Sequence, residues 1–232
     1  FADCSSDGYM VTELFLVVGD SAVGSAKQAR NRVTQAILPL RGKILNVISA
    51  TKDKINANQE IIDLIQALGC KRGDKYSSKE LRYEKIIVMT DADVDGAHIS
   101  TLIMSFFYSE YPKLIEDGHL YLAVPPLYKI SKGPKVFYAT DDKDKDRLIK
   151  SEFKNSQNVD ISRFKGLGEM MPAQLKETTM SPENRILLKV EIIKSHKKKT
   201  EKSVEALMGK KPELRFKFIQ ENSKKASAET VL

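Results

Sequence analysis

Only two cysteines, Cys4 and Cys70, occur in 232 residues, too few and too far apart for a zinc motif or a disulfide framework. Both read as free thiols in a reducing cytoplasm. Long apolar runs are missing too: nothing approaches the roughly 18 residues a membrane span needs, and no signal-peptide pattern opens the chain, which argues against a membrane protein. No internal repeat is visible. Position 1 is Phe rather than Met, so the sequence reads as a piece with domains upstream. What is plentiful is charge: 38 Lys and Arg stand against 31 Asp and Glu, for a formal net charge of +7, in a composition that is 41% hydrophobic. Such a chain buries a real core, and its excess of base favours an anionic partner where the cations cluster.

The most informative stretch is the apolar run Lys85-Ile-Ile-Val-Met-Thr90, which ends in Asp91-Ala-Asp93-Val-Asp95-Gly96 and gives way to a helical pattern from Ala97 to Ile115. Ligands of an open parallel sheet gather where strands end and helices begin. Three carboxylates there repel one another unless a cation neutralises them, and their oxygens suit Mg2+. A solvated Asp-rich turn is the competing account. An EF-hand is excluded, because the twelfth residue counted from Asp91 is Leu102 where calcium needs Glu.

A second strand, turn and helix runs from Glu13 to Val18, through Gly19-Asp20-Ser21-Ala22-Val23-Gly24-Ser25, to Arg30. Its turn offers an anion-binding helix N-terminus or a routine tight connection capped by Asp20 or Ser21. The two units predict one sheet that presents both turns on one edge. Arg41-Gly42-Lys43 places cations on a constrained loop, as a phosphate contact or a solvated basic turn. His98 falls in the first turn of the helix after the acids, and Arg163-Phe-Lys165-Gly-Leu-Gly-Glu-Met170 is a loop able to approach a polyanion closely.

Elsewhere the pattern predicts a frayed start over 1–12, a helix from Gln59 to Leu68 stopped by Gly69, and strands at 119–124 and 135–139. A charged helix or loop is expected over 141–150 and a helix over 171–179. The basic run 194–202 reads as exposed and mobile, helical character returns at 204–208 and 213–221, and the last ten residues read as a disordered tail.

Gly19-Asp20-Ser21-Ala22, Pro39-Leu-Arg-Gly-Lys-Ile-Leu-Asn-Val47, Met89-Thr-Asp-Ala-Asp-Val-Asp-Gly96, Pro125-Pro-Leu-Tyr128, Phe164-Lys-Gly-Leu-Gly-Glu-Met170 and Glu177-Thr-Thr-Met180 occur here in that order. In this the chain resembles the B subunits of bacterial type IIA DNA topoisomerases, over their C-terminal Toprim half. Within that family it is more similar to the topoisomerase IV branch (ParE) than to the gyrase branch, on Ala29, on Met171-Pro-Ala-Gln-Leu-Lys-Glu-Thr178 and on Met208-Gly-Lys-Lys-Pro-Glu213.

The resemblance implies an α/β fold, a Toprim (Rossmann-like) mainly parallel sheet flanked by helices, with a smaller helical C-terminal extension. It divides the chain into a metal-binding core over 1–130 and the remainder over 131–232. It also implies Mg2+-dependent cleavage and religation of double-stranded DNA, with Mn2+ or Ca2+ as substitutes. In such enzymes two B subunits join two A subunits (ParC), which carry the attacking tyrosine, and ATP acts through an N-terminal domain that this chain does not contain. Asp91 and Asp93 match catalytic metal ligands, with Asp95 beside them. Lys43 and Asn46 match DNA contacts, His98 and Arg215 lie where similar subunits touch DNA, and Asp20, Ser21 and Lys165 support the site. One departure matters: the family's first motif begins with Glu, and here that position is Val18, which neither binds a cation nor transfers a proton. Impaired cleavage with retained DNA and partner binding is therefore a live alternative, as is the gyrase equivalent.

Overall fold

The computed structural model describes residues 1–6, 8, 11–154 and 158–229, apart from the side chains of Asp20 and of 224–229. Its main sheet has the order β2-β1-β3-β4-β8, built from β1 (Glu13–Val18), β2 (Gln35–Leu40), β3 (Lys85–Met89), β4 (Leu120–Ala123) and β8 (Leu187–Lys189). The first four strands run parallel and β8 is antiparallel to β4.

All six residues of β1 are buried, as expected of a strand covered on both faces. Phe15, Val17, Ile87 and Met89 face one core, which α1 (Asp20–Ala29) covers together with Leu167, Met170 and, from α7 (Pro172–Leu175), Leu175. Leu14, Leu16, Val18, Ile86 and Val88 face the other, covered by α3 (Gln59–Leu68) and α4 (Val94–Glu110). Short α2 (Lys52–Ala57) and α5 (Pro112–Glu116) flank that side. Within the sheet β2 pairs with β1 alone, its outer edge taking a single bridge at Ile37, and such an edge tolerates Pro39, which has no N–H to give a second neighbour.

Several expectations give way. The helix predicted over 97–115 starts earlier and breaks at Tyr111, whose φ of -136° and ψ of 47° lie outside the helical region, because the residue before Pro112 is pushed out of it. The start of the chain is anchored: Ala2 bridges to Ile37, and the Asp3 carboxylate accepts from the Tyr83 hydroxyl at 2.7 Å and from Arg82. A second, antiparallel sheet of β5 (Tyr128–Lys132), β6 (Lys135–Ala139) and β7 (Asp160–Arg163), order β6-β5-β7, packs on α6 (Asp142–Phe153). The basic run is not loose chain. From Lys197 it is α8 (Lys197–Met208), which buries Met208 in the core, and α9 (Pro212–Glu229) carries helix into the expected tail. Residues 230–232 of that tail lie outside the described residues.

Both cysteines are free thiols, Cys70 buried and Cys4 half-buried. Burial pushes the Cys70 thiol up to about 11, which leaves it protonated and unreactive at neutral pH. No helix among the described residues is long and apolar enough to cross a membrane.

Candidate nucleic-acid and metal site

β1 and β3 are adjacent and parallel, and their register pairs Val17 with Met89. Their C-terminal ends are therefore level, and the Gly19 turn and the Asp91 turn stand side by side, as the sequence predicts. Gly19 has φ 94°, a left-handed conformation that a side chain would strain, and it lets the chain pivot from β1 straight into α1. Ser21 lies exposed in the first turn of α1, while the side chain of Asp20 lies outside the described residues.

At the second turn each carboxylate has its own partner. Asp91 accepts the Leu167 backbone N–H at 2.7 Å. Asp93 is the N-cap of α4 and accepts the Gly96 N–H at 2.7 Å, satisfying one of the helix's orphan donors. Asp95 pairs with the Lys43 ammonium at 2.8 Å, with the two side chains 76% and 50% exposed. The Lys43 hydrogen bond and then its charge hold the Asp95 carboxyl below the usual aspartate range, with a smaller contribution from nearby His98. The spacing predicts one cluster of three acids; in the fold each accepts from its own protein donor.

The glycines set the packing around this turn. A β-carbon on Gly96 would lie 2.0 Å from the Asp91 carbonyl oxygen, so the first turn of α4 closes onto the acidic turn only with glycine there. On Gly166 it would lie 3.0 Å from the Asp91 carboxylate, and on Gly168 2.5 Å from the Ser21 hydroxyl. The loop 163–170, legible as one that approaches a polyanion, thus lies across both turns. No signal in the sequence ties its Leu167 N–H to an Asp91 oxygen. Lys165 sits exposed on the same loop, its backbone N–H bonded to Glu169.

Lys43 reaches the acidic turn, and exposed His98 is close enough to act on Asp95. Asn46 and Arg215 meet elsewhere. The Asn46 amide donates to the Met208 carbonyl at 2.9 Å and the Arg215 guanidinium donates to the Gly209 carbonyl, so both fasten the link between α8 and α9.

Residues 13–125 match the Toprim domain and residues 156–220 match the carboxyl terminus of the DNA gyrase B subunit. The DNA topoisomerase 4 B subunit of Bartonella bacilliformis is 61% identical over 222 residues, covering 96% of this chain and 32% of that protein. Its counterpart in Caulobacter vibrioides is 58% identical over 228 residues, 98% of this chain and 32% of that one. The chain belongs to the family of type IIA topoisomerase B subunits. A DNA gyrase B subunit from Clostridium acetobutylicum is 50% identical over 224 residues, 97% of this chain and 35% of that one. The chain spans about a third of the length of the curated relatives it matches.

A Toprim domain implies a divalent cation, and the residues present do not fit one as folded. Among the described residues no three His, Cys, Asp or Glu side chains converge on a common point. Val18, at the end of β1 and 7% exposed, supplies no carboxylate where the topoisomerase resemblance implies one. Asp91, Asp93 and Asp95 each satisfy a protein donor instead.

Two outcomes follow from this geometry. Gly96→Ala should destabilise the fold by about 1–3 kcal/mol, as overpacking does, because neither the helix nor the Asp91 carbonyl has space to yield. Chemical denaturation would measure it, and an unchanged midpoint would show that the turn relaxes freely. Asp95, with its depressed pKa, contributes stability present above its unfolded pKa, about 3.9, and lost as pH falls through the lower folded value. Carboxyl NMR should show it titrating below free aspartate and moving up in Lys43→Ala; a titration indifferent to that substitution would dismiss the pairing.

Proposed function

We propose that this chain is the Toprim part of a topoisomerase IV B subunit, where it holds duplex DNA and the A subunit rather than supplying a complete cleavage centre. In the whole enzyme, two B and two A subunits would cleave, pass and religate double-stranded DNA at the expense of ATP, relaxing it and decatenating replicated chromosomes. The A subunit would bring the nucleophilic tyrosine, and ATP would bind in a B-subunit region outside this chain.

The observation that carries the reading is the edge where the two turns meet, with Lys43, His98 and the loop bearing Lys165 around them. Cations beside exposed backbone turns suit a phosphate chain, whose contacts position a duplex without reading its sequence. Asp91 and Asp93 remain the residues to hold Mg2+, or Mn2+ or Ca2+ in its place, once a third carboxylate joins them. Val18 is why we infer impaired cleavage. The higher identity to topoisomerase IV relatives than to the gyrase one favours decatenation over supercoiling as the parent activity.

The test is a full-length B subunit carrying this sequence, reconstituted with the A subunit. It should bind a labelled duplex and co-purify with the A subunit, yet give Mg2+-dependent cleavage at least tenfold below that of a subunit with Glu at position 18. Equal cleavage by the two would refute the assigned impairment, and negative supercoiling in place of decatenation would move the chain to the gyrase branch.

A further inference from the structure

Between Lys194 and Lys211 the sequence holds seven lysines against two glutamates, the densest positive charge in the chain. α8 orders most of this stretch. Thr200, Ser203, Val204, Leu207 and Met208 line a groove against Thr101, Met104, Ser105 and Tyr108 of α4. With that face fixed, helical spacing turns Lys198 and Lys202 outward, and a short 3-10 turn over Lys194–His196 adds Lys194 at the near end. All three lysines are exposed.

None of the seven lysines forms an ion pair among the described residues, although Lys43, Lys85, Lys135, Lys145, Lys189 and Lys217 all do. Glu201 and Glu205 are near in sequence and leave them unpaired. This is a row of cations on the side of α8 turned away from α4, on a helix anchored by buried Met208 and half-buried Thr200 and Val204, and it makes no ion pair among the described residues.

Its direction is informative. The C-terminal end of α8 is pinned beside the Lys43 loop, where Asn46 donates to the Met208 carbonyl. Further back along α8, Glu201 lies close enough to Tyr108, near the far end of α4, to raise that phenol after burial has done so. α8 therefore runs back along α4, away from the acidic turn, for about 18 Å at 1.5 Å per residue. Lys198 and Lys202 stand about 6 Å apart along the axis, close to the roughly 6.8 Å covered by two phosphates of one DNA strand.

From this the geometry points to the outer face of α8, through Lys194, Lys198 and Lys202, as a second contact surface for the sugar-phosphate backbone of duplex DNA, flanking the segment held at the acidic turn. The inference rests on the DNA-binding reading and adds to it a separate surface. A protein partner is the less suitable occupant, since this face offers no aromatic or large aliphatic anchor around which a protein interface concentrates its energy. A phosphate backbone needs only spaced cations.

The test is salt-dependent binding of a fluorescent 40-base-pair duplex to this chain, read by anisotropy. Each phosphate contact contributes about 0.9 to the slope of log affinity against log salt, so Lys194→Gln/Lys198→Gln/Lys202→Gln should lower the slope by about 2–3 and weaken binding at least tenfold near 0.1 M salt. A control, Lys113→Gln/Lys143→Gln/Lys150→Gln, removes equal charge from other exposed positions and should lower the slope by less than one. Thermal melts of both variants guard against misfolding, and Lys198→Glu/Lys202→Glu should weaken binding further than neutralisation does. If the wild type binds with a steep slope and the α8 variant matches it, the α8 surface is wrong and the DNA-binding reading stands. If both triple variants lose equally, the effect is net charge and the surface is again wrong. A wild type without salt-dependent binding overturns both, and unchanged DNA binding with lost A-subunit capture assigns the face to protein.

Discussion

Val18→Glu is expected to make the stability of this fold respond to Mg2+, where no such response is expected of the chain with valine. Position 18 is the last residue of β1, opposite Leu40 on β2, packed with Leu16 and Val88 and only 7% exposed. A carboxylate placed there without a partner costs about 1–3 kcal/mol on the scale of protein substitutions. Without metal the variant should therefore melt below the wild type, by some 2–4 °C for each kcal/mol in a chain of this size. Mg2+ at about 10 to 100 times its dissociation constant would return about 1.4–2.7 kcal/mol, most of that loss. Ionic strength must be matched with a monovalent salt, because the Lys43–Asp95 pair is exposed and screens readily. Asp91→Asn in the Val18→Glu background should abolish the Mg2+ shift, and in the reconstituted enzyme Val18→Glu should raise cleavage by about 10²-fold, the low end of what a positioned acid-base group contributes. A Val18→Glu melting curve that Mg2+ leaves in place would remove position 18 from any metal site.

How far the sequence alone reached can be followed through these same residues. β1 and β3 were legible because both faces of the sheet are covered, so each is an unbroken apolar run. Both runs stop at a turn chemistry that admits nothing else, Gly19 in one and the acidic cap of α4 in the other. α3 was readable to the residue, since Gly69 ends it in the left-handed region at φ 74°. β2 was obscured by Pro39, whose tolerance depends on an edge position that only topology reveals. β7 and β8 carry exposed, mixed residues and owe their strands to partners distant in sequence, Tyr128 to Ser131 for one and Tyr121 to Ala123 for the other. α8 was hidden for a related reason. Its apolar stripe is only a few residues wide, and a lysine-rich surface masks it until α4 is there to receive it.

The site divides along the same line. Spacing located the acidic turn, because a strand exit followed by a helix fixes where Asp91 and Asp93 lie. It did not fix where they point, which depends on backbone donors: Asp93 satisfies its own helix and Asp91 the Leu167 N–H, 76 residues along the chain. The family resemblance marked Asn46 and Arg215 as DNA-contacting positions. Only the fold assigns them to carbonyls at the end of α8, where an unmet acceptor takes precedence over solvent or a phosphate.

Arg185→Met is expected to cost about 3–5 kcal/mol, the toll of leaving one member of a buried ion pair without its partner. The Arg185 and Glu13 side chains are 6% and 7% exposed and bonded through the two terminal guanidinium nitrogens, of which Nη1 lies 2.6 Å from the carboxylate. The Gln35 amide donates to the same carboxylate at 3.0 Å and to the Met180 carbonyl at 2.8 Å, and Arg185 reaches that carbonyl too, at 3.1 Å. One network thus ties β1 and β2 to the π-helical turn Lys176–Met180, and through it the region matched as Toprim to the region matched as the gyrase B carboxyl terminus. Because α7 and the loop 163–170 lead directly into that turn, its loss should loosen the cover over Ser21 and Asp91 as well as lower the melting temperature by 10 °C or so. Arg185→Lys should fall between, since a single ammonium cannot engage the carboxylate with a planar fork. Glu13→Leu/Arg185→Met should recover much of the loss by removing the stranded charge, although Gln35 would keep only its bond to the Met180 carbonyl and lose the Glu13 acceptor. Denaturant midpoints of the three variants, with hydrogen exchange at Leu167 as the local readout, decide the matter. A loss under about 1 kcal/mol for Arg185→Met would mean that water reaches Glu13 readily and that the two regions are joined by apolar packing alone.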